Sequence, residues 1–216
     1  EATGAAGFNV PRGSRKDLRD AVVAARAAQP KWSGLSAYNR GQILFRMAEM
    51  VATRARSLVD EIRSGNRRSQ QAAEKQVTAS HDLLTFYAGL PDKLQQLLGS
   101  QNDVAGPYFN FSTVEPVGVV ASVAPDQPAL LGALAMSIPL IAAGNTVVLQ
   151  VSEESPLPGL ALGELLAVSD LPAGVINILS GYREELLPQM ASHRDIDGLL
   201  IAGAPDASVS AAAADS

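Results

Sequence analysis

At 216 residues, 47% of them hydrophobic, and with a net charge of −5, the chain has enough apolar material for one large domain or two small ones with a real core. It contains no cysteine, which excludes disulfides, thiolate nucleophiles and cysteine-based metal sites together and fits a cytoplasmic chain. The longest apolar segment, 129–143, falls short of the roughly 20 residues a membrane helix needs and contains Pro139, so no membrane span is expected.

The charge is unevenly spread. Residues 1–75 carry 14 Lys and Arg against 7 Asp and Glu, whereas 76–216 carry 3 against 15, which makes the two parts +7 and −12. No cation stands between Lys93 and Arg183, so the second part offers no surface to nucleic acid or anionic lipid. The arginines of the first part alternate with apolar residues at helical spacing, the pattern of a solvated helix face. The chain opens at Glu1 rather than Met, and we expect it to be a piece of a longer polypeptide.

Residues 1–13 show little periodicity and read as a loosely held arm. Ser14 and Asp17 form a capping-box pattern, and Leu18, Val22 and Ala25 continue one helical face to about Ala28, where Gln29-Pro30 is expected to stop it. Trp32 follows in a predicted turn, placed to pack this helix on the next. From Tyr38 to Ser64 the positions Leu44, Met47, Ala48, Val51, Ala55, Leu58 and Ile62 keep the 3.6 period, predicting one long helix ended by Gly65-Asn66. A third helix is predicted over Ser69 to about Gly89, a break at Leu90-Pro91 and a short continuation through Leu98. Polar 99–107 reads as a linker or loop tip, and alternating 108–114 as an exposed strand or one arm of a hairpin.

The second half reads as repeated β-α units. Val117–Val123 is a buried strand, Pro128 to about Ala143 a helix, Gly144-Asn145 a turn and Thr146–Gln150 a second buried strand, parallel to the first because a helix crosses between them. Ser152-Glu153-Glu154-Ser155-Pro156 reads as the start of another helix, with acidic residues near its positive end. Val175–Leu179, a helix over about 183–192, and Gly198–Ala202 complete an open parallel sheet covered on both faces. The fold class is therefore α/β, a Rossmann-like open parallel sheet with an N-terminal helical layer: 1–106 helical, 107–204 the α/β core, 205–216 a tail of small residues.

These residues resemble the N-terminal part of an aldehyde dehydrogenase. The resemblance runs from about Asp17 to Gly203 and is carried by Phe86-Tyr87-Ala88-Gly89-Leu90, Glu115-Pro116-Val117-Gly118-Val119, Ala142-Ala143-Gly144-Asn145-Thr146-Val147-Val148-Leu149 and Leu171-Pro172-Ala173-Gly174-Val175-Ile176-Asn177. It implies an NAD-binding Rossmann-like domain and a hairpin that in the family helps oligomers form.

The positions that the resemblance assigns to chemistry are altered. Gln127 stands where the family has its oxyanion-stabilising Asn, beside Asp126, whose charge would work against an oxyanion. Gln150 replaces the ribose-holding Lys, although Glu153 matches its partner; the plainer reading of Glu153 is capping at a helix start. Gly181 is kept in the turn that faces the pyrophosphate, but Arg183, Glu184 and Glu185 follow, and their carboxylates would neutralise the helix end. Gly203 is followed by Ala204 and Pro205 where the family has a serine. The family's cysteine and general-base glutamate lie in a domain that this chain lacks.

No P-loop, Gly-x-Gly-x-x-Gly or Gly-x-Ser-x-Gly motif is present. His81 and His193 are isolated and predict no metal pair. The losses resemble those of the non-catalytic C-terminal pseudo-domain of two-domain family-sixteen aldehyde dehydrogenases. They imply no catalytic residue, no cofactor and no metal on this chain, with Gln127, Gln150, Glu153, Gly181 and Gly203 as vestigial positions. The implied partners are a catalytic, NAD-dependent domain of the same polypeptide and further copies of the parent in a homo-oligomer. Two other readings stand beside this one: the NAD-binding fragment of an active aldehyde dehydrogenase, and a nucleotide-binding sensor.

Overall fold

The computed structural model describes residues 9–66, 68–203 and 207–214. The first helix, α1 (Arg15–Ser33), starts at the expected capping box of Ser14 and Asp17. It does not stop at Pro30, which is accommodated in the last turn while its own carbonyl still accepts from the Gly34 N–H. Trp32 is thus helical, and its buried Nε1–H donates to the Ile141 carbonyl at 3.0 Å. The predicted long second helix is two, α2 (Ala37–Thr53) and α3 (Ala55–Asn66), separated where Arg54 leaves helical geometry. Gly65-Asn66 falls at the end of α3, and the side chains there lie outside the described residues. The next helix, α4 (Gln70–Ala88), runs between Ser69 and Gly89 as predicted, and a 3-10 turn at Pro91–Lys93 leads into α5 (Leu94–Leu98).

The segment read as a linker contains a strand. β1 (Ser100–Asn102) pairs antiparallel with β2 (Asn110–Ser112) in a two-stranded sheet whose residues are all exposed. The main sheet follows the sequence pattern: β3 (Val119–Val123), α6 (Ala129–Ala142), β4 (Thr146–Gln150), α7 (Pro156–Val168), β5 (Ile176–Leu179), α8 (Arg183–Ala191) and β6 (Gly198–Ile201). All four strands are parallel, in the order β5-β4-β3-β6. Residues 207–214 of the tail form α9 (Ala207–Ala214), which packs on α8 and buries Val209.

Alternation along the strands sorts the core. Val119, Ala121, Val123 and Val148 point to one face, where Leu18, Val22 and Ala25 of α1 meet Leu186 and Met190 of α8. Val147 and Leu149 point to the other, against Leu134, Ile138 and Ile141 of α6 and the helical layer with Trp32, Leu44, Met47 and Leu84. The Gly144-Asn145-Thr146 turn serves this packing. Asn145 Oδ1 accepts from Gly118 N–H and its amide donates to Leu140, while Thr146 Oγ1 donates to the Ala25 carbonyl of α1.

The charge asymmetry is resolved by ion pairs between the halves. Arg26 meets Asp197 at 2.8 Å and Arg54 meets Glu164 at 2.8 Å, while Arg12 and Arg46 pair with Glu185 and Asp170. The basic helical layer and the acidic sheet region thus complement each other.

Candidate functional site

The strand order reverses between β3 and β6, and in open parallel sheets a ligand crevice lies outside the carboxyl ends of the strands at that switch. Of the positions that the resemblance singles out, Gln150, Glu153, Gly181 and Gly203 lie at the carboxyl ends of the strands, whereas Gln127 lies apart. Asp126 follows β3, Gln150 ends β4, Gly181 follows β5 and Gly203 follows β6.

Side chains of the chain itself fill the carboxyl end of the sheet over β3, β4 and β5, next to that switch. Asp126 Oδ1 accepts from the backbone N–H groups of Glu153 at 2.9 Å and Glu154 at 3.3 Å, and lies 3.2 Å from Ser152 Oγ. Its other oxygen meets the Arg183 guanidinium at 2.7 Å, and a second guanidinium nitrogen donates to the Ala124 carbonyl at 2.8 Å. Burial pushes the Asp126 carboxyl up, but the Glu154 N–H, Arg183 and the Glu153 N–H outweigh it and hold the group below the usual carboxylate range.

Glu153 caps a helix, though not the one it precedes. Its Oε2 accepts from the Arg183 N–H at 2.8 Å, at the start of α8, because the loop after β4 folds across the end of β5. The expected roles of Glu184 and Glu185 change accordingly. Glu185 reaches out to Arg12, whose guanidinium also lies 4.8 Å above the Tyr182 ring.

Gln150 is fully buried, with its amide donating to the Gly181 carbonyl at 3.0 Å. Gly181 takes φ +149, and a Cβ there would stand 3.3 Å from the Gly13 backbone. This contact belongs to an unforeseen strap. Residues 10–13 cross the turn after β5, with Gly13 N–H donating to Ser180 O at 2.7 Å and Ser180 Oγ to Pro11 O at 2.6 Å. The arm is therefore held over its last four residues, and residues 1–8 lie outside those described. A cavity of about 160 Å³ remains between Val10–Arg12, Ser152, Glu153 and Tyr182.

Gln127 is half-buried beside Pro128 and away from this network, lining a groove with Arg68, Lys75 and Gln76. The start of α6 is closed by Gln76, whose Oε1 accepts from Leu130 N–H at 2.8 Å and Leu131 N–H at 3.4 Å. Gly203 is exposed with φ +109, and Ala204 and Pro205 lie outside the described residues. His81 lies 3.4 Å from Asp82, and His193 Nδ1 accepts from the Asp195 N–H.

A dinucleotide does not fit these residues. The two helix ends that would meet a pyrophosphate already have acceptors, Glu153 for α8 and Gln76 for α6. A carboxylate stands at the end of β3, and the ribose-holding position is a buried amide turned onto the backbone. Sequence reasoning missed the side-chain roles of Arg183, Gln76 and Arg12. For Arg183 a signal existed, since it is the first cation after Lys93 in a strongly acidic stretch.

The aldehyde dehydrogenase family model matches residues 1–214. The chain belongs to the aldehyde dehydrogenase family. It is 34% identical over 209 residues to hydroxyisobutyraldehyde dehydrogenase of Mycolicibacterium austroafricanum, covering 95% of this chain and 40% of that protein. It is 33% identical over 208 residues to aldehyde dehydrogenase family 2 member B4, mitochondrial, of Arabidopsis thaliana, covering 94% and 38%. Among solved structures, betaine aldehyde dehydrogenase from Staphylococcus aureus in complex with NAD+ superposes with a TM-score of 0.88 at 27% identity, over 96% of this chain and 42% of that one. The chain thus spans about 40% of the length of these aldehyde dehydrogenases. No helix among the described residues is long and apolar enough to cross a membrane, and no metal-holding cluster occurs among them.

Proposed function

We propose that this chain is a non-catalytic aldehyde-dehydrogenase-fold unit, kept for structure and assembly within a longer polypeptide whose NAD-dependent aldehyde oxidation takes place in another domain. The arrangement is most like the C-terminal pseudo-domain of a two-domain family-sixteen enzyme. One observation supports this most strongly: at the carboxyl end of the sheet the Asp126 and Glu153 carboxylates are already taken up by backbone N–H groups and Arg183 of the chain itself.

The assembly surface in this reading is the β1–β2 hairpin. Among the described residues each of its strands has one unpaired edge, and Tyr108, Phe109 and Phe111 are 75%, 71% and 59% exposed. The occupant is the catalytic domain of the same polypeptide or a second copy of the parent. Sedimentation of the intact polypeptide tests this. Phe109→Ser with Phe111→Ser is expected to loosen assembly while leaving turnover per catalytic domain unchanged, and unaltered sedimentation would contradict the assignment. The isolated chain should produce no NADH from aldehydes above background.

The NAD-bound neighbour favours a second reading, in which the chain is the NAD-binding portion of an active enzyme. The sequence beyond Ser216 separates the two, because a following domain with the family's cysteine and glutamate would overturn the pseudo-domain reading.

A further inference from the structure

Four arginines, at 12, 26, 46 and 54, pair with carboxylates of the acidic half. The cations at the start of α1 do not. Arg15, Lys16 and Arg19 line a cleft of about 400 Å³ with Gln189, Ser192 and His193 from the end of α8, and no carboxylate among the described residues lines it. We propose that this cleft binds a small phosphate-bearing anion.

Local pairing does not satisfy these charges. Asp17 is committed to the Ser14 N–H at 2.8 Å and Ser14 Oγ at 2.7 Å. Asp20 alone serves Lys16 at 2.9 Å and Arg19 at 3.7 Å, and the Arg15 side chain has no ion pair or hydrogen bond among the described residues. Cations in the first turns of a helix oppose its macrodipole, so their placement here works against the fold.

The end of α8 does not recruit them either. Pro188 O accepts from both the N–H and the hydroxyl of Ser192, and Met190 O accepts from the His193 N–H. Because His193 Nδ1 accepts from Asp195 N–H at 3.2 Å, the neutral ring carries its proton on Nε2 and keeps a donor. Two guanidiniums, an ammonium and an imidazole N–H on one concave surface are suited to a phosphate or diphosphate group. The α1 amides play no part, since the capping box occupies that end. The cleft is also separate from the dinucleotide crevice, which lies at the opposite end of the nine-residue α8, about 13 Å away at helical rise.

Calorimetric titration of the full chain with inorganic pyrophosphate at low salt tests the site. Saturable binding to one site is expected, weakened by about 10-fold or more in Arg15→Gln/Arg19→Gln. Lys31→Gln/Arg56→Gln removes the same charge from exposed positions outside the cleft and is expected to leave binding within about 2-fold. Absence of saturable heat up to about 10 mM would overturn the proposal. So would equal weakening in both double variants, which would mark the binding as non-specific charge attraction.

Discussion

The two ends of β3 are both tied by an aspartate and an arginine, yet they are finished differently. At the amino end Asp197 accepts from the Val119 N–H at 2.7 Å and from Arg26 at 2.8 Å, and Arg26 also donates to the Asp195 carbonyl at 2.6 Å. At the carboxyl end Asp126 and Arg183 are joined by Glu153, and this region holds the three buried side-chain atoms left without partners among the described residues: Gln150 Oε1, Ser155 Oγ and Arg183 Nε. One end is a completed structural joint. The other carries residual polar groups at the carboxyl ends of the strands, where open parallel sheets hold their ligands.

The comparison can be broken from the amino end first. Gly118 has φ +134, and a Cβ there would come within 2.1 Å of Asp197 Oδ2, so Gly118→Ala combines strain with loss of the joint and is expected to cost about 3 kcal/mol or more in urea unfolding. Asp197→Ala strands the Val119 N–H and Arg26, with an expected loss of about 2–3 kcal/mol. Arg183→Met leaves Asp126 its two backbone donors and removes an unsatisfied Nε, so its cost is expected to be only about 1 kcal/mol. Equal losses at Asp197 and Arg183 would make the two ends alike and remove the distinction.

Acid titration sharpens the same contrast. Both Asp126 and Asp197 are pulled down from the usual carboxylate range: in each, burial raises the group, but hydrogen bonds and the neighbouring arginine outweigh it. A depressed folded-state value means that stability is fully present above the unfolded value of about 3.9 and is lost as pH falls through the folded one. Thermal unfolding followed from about pH 5 downward should therefore show a steep loss, flattened in Asp126→Asn and in Asp197→Asn. The smallest effect belongs to the hairpin, where Phe109→Ser should change the chain's own stability by no more than about 0.5 kcal/mol because the ring is exposed.

The sheet was legible because β3 and β4 are buried on both faces and are mostly apolar. Places with no such signal were missed. β1 is Ser-Gln-Asn, exposed throughout, and its polar residues have no period-2 pattern to separate a strand from a loop. The break at Arg54 was hidden because Val51 and Leu58, on either side of it, are both buried in the same core. At the crevice the altered positions were readable one by one, but their partners were not. Arg183 and Asp126 are 57 residues apart, Glu153 and Arg183 are 30 apart, and only the folded sheet brings three loops together. Glu153 shows the limit well: its capping role was foreseen, while the helix that it caps was not.

The central claim is that the crevice is closed by the chain's own side chains, and calorimetric titration of the pure chain with NAD addresses it most directly. The account predicts no saturable binding in the micromolar range, because the α8 and α6 amides, the end of β3 and the Gln150 amide are already engaged. Micromolar binding at one site per chain, persisting when Arg15 and Arg19 are replaced by Gln, would contradict it and mark the chain as a nucleotide-binding unit.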